Sequence, residues 1–180
     1  MVAIGRKVPS LRMPALFKGT LQYVGLDHFE DKWILLCFPA RLTLEEASFL
    51  NREVCFAPPT LEQATLLAVG SDPTLLHQPW ALNVSGGSTV LLIDPLKRLH
   101  REFGVSVQMP TRCQSFVISP QSTLEFLMVH DLNGRGISTL AEILQAGVTC
   151  YRRQKRRPNN SSLSRQGVRY ANRPSKRCKA

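Results

Sequence analysis

The sequence predicts an α/β domain in which helices cover both faces of a central sheet. Three apolar runs, WILLCF at 33–38, LLAVGSD at 66–72 and TVLLIDP at 89–95, each lead into proline or small polar residues. Continuous apolar runs of this length are typical of strands that are buried on both faces. Because helical patterns separate the runs, and a hairpin and another helix follow them, we expect a compact α/β domain.

The first helix is predicted from Thr43 to about Cys55. Apolar residues recur at helical spacing in this stretch, and Glu45 and Glu46 lie in the first turn, where carboxylates are favoured. The segment APPT at 57–60 then interrupts the pattern. A well-started helix is therefore expected directly after the first buried strand.

The later part of the chain predicts a short helix, a hairpin and a closing helix. The stretch LKRLHREFGV at 96–105 has helical spacing and a glycine near its end. SFVIS at 115–119 and LEFLMV at 124–129 are separated by PQST, which predicts an antiparallel hairpin. Ser138 is the expected N-cap of the closing helix, and Gly147 is its expected end.

The charge of the chain changes abruptly near residue 150. Residues 151–180 contain 11 of the 23 Lys and Arg residues and none of the 13 acidic ones, so residues 1–150 have a net charge of −1. The last segment also has few aliphatic residues, and it cannot bury enough apolar surface to offset its ordering entropy. The sequence therefore predicts a folded domain at 1–147 and a basic, disordered tail at 148–180.

Several classes of protein are disfavoured by the composition. No run approaches 18 apolar residues, so no membrane span is expected, and the N-terminal MVAIGRKVPSLRMP lacks the apolar run of a secretion signal. The five cysteines form no C-x-x-C pair and the four histidines do not group with them, so we expect no metal and no other cofactor. An odd number of cysteines without a secretion signal favours reduced thiols and a cytoplasmic location.

With these elements in order, the chain resembles the peroxiredoxins of the alkyl hydroperoxide reductase/thiol-specific antioxidant family. GRKVPSL resembles the family's N-terminal G-x-x-x-P-x-F segment, and LDHFEDKWILLCFP resembles its L-x-D-Y-x-G-K-W strand entry. HDLNGRGISTLAEILQ resembles the segment that closes the family's domain. The resemblance covers about residues 3–147. It implies a thioredoxin-like fold, with a central mixed sheet flanked by helices, and a homodimer or larger assembly.

The family's peroxide site centres on the motif P-x-x-x-T-x-x-C, whose cysteine lies in the first turn of a helix and attacks the peroxide. The resemblance places Pro39 and Thr43 at the first two positions and Glu46 at the position of the peroxidatic cysteine. A carboxylate lacks the sulfur nucleophile that passes through sulfenic acid. The resemblance therefore implies a thiol peroxidase site that has lost its ordinary activity.

Glu46 has two interpretations. Thr43 and Glu46 have the spacing of a capping box, in which each side chain bonds to the backbone N–H of the other residue, and we favour this structural role. The alternative is that the Glu46 carboxylate mimics the charge of an over-oxidised cysteine and holds the domain in an assembly-competent state.

The family's pocket arginine is harder to assign. It lies three residues before a strand phenylalanine, and counting back from Phe116 reaches Cys113, with Arg112 one place further away. Neighbouring residues of a strand face opposite sides of the sheet. Either Cys113 has replaced the arginine, or a one-residue bulge returns Arg112 to the pocket.

Two other functions stay open. In the first, Cys113 is the nucleophile of an active thiol-dependent antioxidant oxidoreductase, which a thioredoxin-like reductant would regenerate. In the second, the tail at 151–180, with its run RRQKRR, binds nucleic acid or another polyanion weakly and in a salt-sensitive manner.

Overall fold

A seven-stranded mixed sheet forms the centre of the computed structural model, which describes residues 1–55, 64–85, 89–106, 112–131 and 135–156. The strands are β1 (Arg12–Phe17), β2 (Thr20–Gly25), β3 (Trp33–Phe38), β4 (Ala64–Gly70), β5 (Thr89–Ile93), β6 (Cys113–Ile118) and β7 (Leu124–His130). The helices are α1 (Leu44–Cys55), α2 (Pro79–Ser85), α3 (Arg98–Phe103) and α4 (Arg135–Arg156). Short 3-10 turns at Leu26–Phe29 and Pro73–His77 complete the described elements.

The strands lie in the order β2-β1-β5-β4-β3-β6-β7. The central strands β3, β4 and β5 run parallel, and the strands on either side of them pair antiparallel. Parallel neighbours need long crossover connections, which explains the helical segments between the three apolar runs of the sequence. The predicted α/β domain with a central mixed sheet is confirmed.

Both faces of the sheet are buried, as the continuous apolar runs predict. On one face, α1, α2 and α4 cover a cluster of side chains that includes Leu35, Cys37, Leu66, Leu91, Cys113 and Val117. On the other face, α3 and the N-terminal segment cover a cluster that includes Leu36, Phe38, Leu67, Val69, Phe103 and Phe116. Successive residues of β3 and β6 therefore belong to different clusters, as strand geometry requires.

The N-terminal hairpin of β1 and β2 is absent from the sequence-based prediction. Phe17 pairs with Thr20 across a two-residue turn, in which Lys18 and Gly19 have φ values of 52° and 70°. Such turns need positive φ at both central residues, and glycine adopts it without strain. The Lys-Gly pair was the available signal, but lysine at the first turn position is a weak one.

Helix α4 differs from its prediction at both ends. It begins at Arg135, three residues before the expected N-cap Ser138, and it continues past Gly147 to Arg156. A Cβ atom added at Gly147 would lie 2.9 Å from Cη2 of Trp33, closer than such contacts occur. Gly147 therefore allows the helix to pack closely against Trp33 and does not end it.

The other predicted boundaries agree with the structure. Helix α1 begins at Leu44, directly after Thr43, and the hairpin of β6 and β7 forms as expected. Gly104 follows α3 with a left-handed φ of 66°, which is the usual role of glycine after a helix.

The predicted tail lies largely beyond the described residues. Residues 148–156 form the last turns of α4, and residues 157–180 lie outside the described part of the chain. Within the described ranges, no helix is both long enough and apolar enough to cross a membrane.

Candidate functional site

A pocket of about 360 Å³ opens at the carboxyl ends of β3 and β4. The loop after β3 forms one wall, and the start of α3 and the residue before β6 form others. The residues of interest that line it are Pro39, Arg41, Thr43, Lys97, His100 and Arg112. Ligand pockets are commonly found at this end of α/β sheets. Three sequence-predicted site residues, Pro39, Thr43 and Arg112, therefore meet at one pocket.

Glu46 lies next to the pocket but bonds to the helix start. Its Oε2 atom accepts hydrogen bonds from the backbone N of Thr43 at 3.1 Å and from Thr43 Oγ1 at 3.2 Å. In return, the backbone N of Glu46 donates to Thr43 Oγ1 at 3.3 Å. These reciprocal bonds have the pattern of a capping box at the first turn of α1.

Arg112 and Cys113 lie on opposite faces of the sheet. Arg112 lines the pocket, and so does Gln114 two residues later. Cys113 is only 1% exposed and packs into the core beneath α1 and α4. The structure therefore brings the guanidinium to the pocket and places the thiol behind the sheet.

No bulge in β6 is needed for this arrangement. The register irregularity between β6 and β7 falls at Val117 and Ile118, at the far end of the strand, and leaves Glu125 of β7 unpaired. Arg112 and Gln114 reach the pocket by ordinary alternation.

Behind the sheet, Ser115 bridges two buried thiols and a histidine. Its Oγ atom lies 3.2 Å from Cys37 Sγ, 3.7 Å from Cys113 Sγ and 2.8 Å from Nε2 of His130. All four residues are buried. We call this group, Cys37, Cys113, Ser115 and His130, the thiol cluster. Sequence reasoning identified Cys113 in it but not the serine or the histidine, because their contacts join three different strands.

The hydrogen bonds of His130 restrict where the protons of the thiol cluster can be. His130 Nδ1 lies 3.0 Å from the carbonyl oxygen of Asp131, which can only accept, so Nδ1 carries a hydrogen. Ser115 has one hydroxyl hydrogen: if it donates to Cys37 Sγ, Nε2 of His130 must also be protonated. One proton can therefore be bound either to a thiol or to the imidazole of His130, and the hydroxyl of Ser115 is hydrogen-bonded to both groups.

The environment shifts the pKa values of the thiol cluster in different directions. The hydrogen bond from Cys37 and the proximity of His130 lower the pKa of Cys113 to about 6, although burial opposes this. The pKa of Cys37 is raised well above its ordinary value, by the hydrogen bond with Cys113 and by burial. Burial disfavours the charged form of His130, but its hydrogen bonds with Cys113 and Asp131 leave its pKa raised. Of the two thiols, Cys113 is thus the one that loses its proton first as the pH rises.

A second histidine, absent from the sequence-based site, faces the pocket. His100 Nδ1 lies 2.8 Å from Oδ2 of Asp94, a carboxylate with no exposed surface. Asp94 also accepts from the backbone N of Arg98 at 2.7 Å and from that of His100 at 3.0 Å. Asp94 thus fixes both the start of α3 and the orientation of the imidazole. A six-residue spacing of Asp and His is no recognised motif, so this pair could not be predicted from the sequence.

Within the described residues, no group of three or more His, Cys, Asp or Glu side chains has the arrangement of a metal site. Cys37, Cys113 and Cys150 are free thiols, and of these only Cys150 is exposed.

Sequence comparison relates part of the chain to a peroxiredoxin. Over 83 residues it is 29% identical to the selenocysteine-containing peroxiredoxin PrxU of Peptoclostridium acidaminophilum. The match covers 44% of this chain and 40% of that relative, so it spans less than half of the relative's length. No family model matches the chain.

Solved structures share the fold over nearly their whole length. AhpC of Enterococcus faecalis superposes with a TM-score of 0.68 and 21% identity, covering 86% of this chain and 97% of that one. The reduced 2-Cys peroxiredoxin of Plasmodium vivax superposes with a TM-score of 0.65 and 21% identity, covering 83% and 98%. Together with the partial sequence match, the shared fold confirms the resemblance noted in the sequence: the chain is similar to the peroxiredoxins and has their thioredoxin-like fold.

Proposed function

We propose that this protein is a peroxiredoxin relative without ordinary thiol peroxidase activity. The observation that supports this most directly is the chemistry of the pocket: among the described residues that line it, there is no cysteine. Glu46, at the position that the resemblance assigns to the peroxidatic cysteine, uses its carboxylate to cap α1. A carboxylate cannot accept the peroxide oxygen and pass through a sulfenic acid. The protein keeps the pocket but not the nucleophile.

A peroxide-consumption assay tests this function. The full-length protein is incubated with hydrogen peroxide or an organic hydroperoxide and a dithiol reductant, and the remaining peroxide is measured. We expect consumption no faster than with a protein-free control. Turnover by the wild-type chain would overturn the proposal.

The protein is further proposed to act as a homodimer or larger assembly. Strand β7 lies at the end of the sheet: Gly5 and Arg6 hydrogen-bond to its first residue, Leu124, and no described strand pairs with the rest of its outer edge. Leu127 and Val129 on this strand are 41% and 47% exposed. An exposed apolar edge strand is a ready site for pairing with another strand. We therefore expect two copies to pair antiparallel along β7, about a two-fold axis near Leu127.

The charge of Glu46 gives this assembly a specific test. If the carboxylate mimics an over-oxidised cysteine that holds the domain in its assembly-competent state, Glu46→Cys changes the oligomer size in solution. An unchanged sedimentation profile would remove this role and leave the capping role.

The second candidate function is thiol-dependent reduction of hydroperoxides by Cys113. The observation that favours it is the bridge from Cys113 and Cys37 through Ser115 to His130. A Cys113 thiolate would attack the peroxide, forming an S–O bond as the O–O bond breaks, and His130 would protonate the leaving alkoxide. Cys37 would then displace water from the sulfenic acid to form a disulfide, which a thioredoxin-like dithiol would reduce.

The burial of Cys113 argues against this candidate, because a nucleophile must meet its substrate. Dimedone, which traps sulfenic acids, separates the two. In a Cys37→Ser variant, a sulfenic acid at Cys113 cannot be consumed by disulfide formation with Cys37. After peroxide treatment of this variant at neutral pH, labelling at Cys113 would support the second candidate, and its absence would end it. The exposed Cys150 is the internal control for access of the probe.

Two further proposals concern location and partners. The unpaired Cys37 and Cys113 are consistent with a reducing, cytoplasmic compartment. The basic tail is proposed to bind polyanions weakly. Its first basic residues, at positions 152–156, belong to the last turns of α4, and clustered cations of this kind attract polyanions.

A further inference from the structure

The imidazole of His100 is held in place at the wall of the pocket. Asp94 holds its Nδ1 atom at 2.8 Å, and Phe38 packs edge-on against the ring with a centroid distance of 4.9 Å. The side chain is 12% exposed, and its Nε2 atom makes no hydrogen bond with the described residues. A ring that is already oriented loses little entropy when it bonds to a ligand.

Positive charge surrounds this imidazole. Arg41, Lys97 and Arg112 line the same pocket, and none of them forms an ion pair with the described residues. The lining also contains Asp72, but its Oδ1 atom accepts from the backbone N and the hydroxyl of Thr74. Unpaired cations in a concave site attract an anion.

The floor of the pocket is apolar. Phe38, Leu42, Val69 and Leu75 line it, and all four side chains are buried. A ligand that is only a charge, such as a free inorganic ion, would leave this surface in contact with water. A ligand with a short apolar body would cover it and gain about 25 cal/mol for each Å² of apolar surface removed from water.

We propose that the pocket binds a small carboxylic acid with a short apolar chain. The carboxylate lies between Nε2 of His100 and the guanidinium of Arg112, and the apolar chain lies along Phe38 and Leu75. Asp94 acts as a positioning residue, because it touches the imidazole and not the ligand. This binding goes beyond the proposed function, although it uses the same pocket and the same Arg112 that the resemblance assigns to peroxide.

The hydrogen bond that His100 donates to Asp94 predicts that binding changes the protonation of the ring. Since Nδ1 of His100 donates to Asp94, Nε2 can donate to a carboxylate only when the ring is an imidazolium. The charged groups that face the ring are Asp94 beneath it, Lys97 from its own segment, Arg41, Asp72 and Arg112. Binding of a carboxylate through Nε2 should therefore be accompanied by proton uptake at His100 when the free ring is neutral.

Isothermal titration calorimetry of the full-length protein tests the proposal. The probes are hexanoate and its neutral isostere hexanamide, each titrated at pH 7.5 in two buffers with different enthalpies of ionisation. We expect hexanoate to bind at least tenfold more tightly than hexanamide, with uptake of up to one proton. Inorganic phosphate is the third probe and is expected to bind more weakly than hexanoate.

Matched variants assign the effect to the named residues. His100→Gln is expected to abolish the proton uptake and to weaken hexanoate binding at least tenfold, whereas His77→Gln, which removes an exposed imidazole outside the pocket, changes neither. Arg112→Gln is expected to weaken hexanoate but not hexanamide, with the exposed Arg6→Gln as its control. If His100→Gln does not fold, the Arg112 and Arg6 pair still decides the outcome, since both positions are on the surface.

Equal affinity for hexanoate and hexanamide would overturn the proposal, as would unchanged hexanoate binding in Arg112→Gln. Phosphate that binds as tightly as hexanoate would overturn the assignment to a carboxylic acid. None of these measurements depends on peroxide turnover, so failure of this inference and failure of the proposed function are distinguishable.

Discussion

Thr43 and Glu46 close the first turn of α1 on each other, with the Glu46 carboxylate 3.1 Å from the Thr43 backbone nitrogen and the Thr43 hydroxyl 3.3 Å from the Glu46 backbone nitrogen. In the family's pattern the same two positions carry the peroxide-binding threonine and the peroxidatic cysteine. The Glu46 carboxylate thus lies at the positive end of a helix, where a negative charge is stabilising. Under the proposed function, the side chain that caps α1 also occupies the position of the nucleophile.

Glu46→Ala is expected to lower the free energy of unfolding by about 1 kcal/mol, the usual cost of losing a helix cap. Glu46→Gln, which keeps an acceptor for the Thr43 amide, should lose less. Glu45→Ala is the matched control, because Glu45 lies in the same turn and is exposed but takes no part in the box. Urea unfolding curves measure all three. If the Glu45 and Glu46 variants lose equal stability, the capping box contributes nothing beyond general helix-dipole effects.

Glu46→Cys is expected to consume peroxide where the wild-type protein does not. Thr43 and Arg112 line the pocket next to this position, so the new thiol meets the groups that would hold a peroxide. Adding Arg112→Gln to the variant should reduce the rate roughly 100-fold, a typical effect of removing one preorganised electrostatic group. The rate of peroxide loss with a dithiol reductant is the measurement. A variant as inactive as the wild type would show that the pocket no longer holds peroxide.

The pKa of Cys113, lowered to about 6, predicts a thiolate that is absent from the Cys113→Ser variant. The difference in ultraviolet thiolate absorbance between the two proteins should rise with a midpoint near pH 6. Cys150→Ser, at an exposed thiol, is the control and should leave this transition in place. A midpoint near the ordinary thiol value would contradict the predicted shift.

The lowered pKa of Cys113 also determines how the stability of the protein changes with pH. Because the pKa of Cys113 is lower in the folded state, its contribution is present above the ordinary thiol value of 9.0 and is lost as the pH falls through about 6. The pKa of His130 is raised, so its contribution is lost as the pH rises through its folded value. The pKa of Cys37 is also strongly shifted, but upward, so its contribution is fully present below 9.0 and is lost only at higher pH. The stability advantage of wild type over Cys113→Ser should therefore be greater at pH 9 than at pH 5, as measured by urea unfolding.

Lysine at Leu127 or Val129 is expected to prevent pairing along β7 and to shift the protein towards the monomer in sedimentation velocity. Charged side chains on an edge strand oppose strand pairing. Leu21→Lys is the control, because Leu21 is exposed on β2 at the opposite edge of the sheet. If only the β2 variant dissociates, the interface lies at that edge instead.

Deletion of residues 151–180 should abolish retention of the protein on heparin at low salt. The shorter deletion of residues 157–180 keeps the described end of α4 and its four basic residues, and it should leave weak retention. Retention by the protein that lacks 151–180 would exclude the tail as the polyanion-binding segment.

The sequence predicts well whatever depends on neighbours along the chain. The capping of α1 needs only Thr43 and Glu46, three residues apart, and the buried strands need only their own apolar runs. Gly147 shows the limit: a glycine that ends a helix and one that admits a neighbouring Trp33 look identical in sequence, since the difference lies in a contact 114 positions away.

The candidate site was predictable in part for the same reason. Pro39 and Thr43 follow from a local motif. Whether Arg112 or Cys113 faces the pocket depends on where β6 starts, and counting residues back from Phe116 cannot determine this. The bridge from Ser115 to His130 joins two strands, and the orientation of His100 depends on Asp94 being buried. Such contacts exist only once the sheet has formed.

The alternation along β6 limits how a thiol could be placed in the pocket of this protein. A slip of this strand by one residue would turn Cys113 and Ser115 outward and drive Arg112 and Gln114 into the apolar core. The thiol would gain access to solvent and lose His130, while a guanidinium would be buried without a partner. Either register gives the pocket a cation or a thiol from β6, never both. A cysteine that works beside Arg112 must therefore come from another element, and the first turn of α1 follows a loop that lines the same pocket.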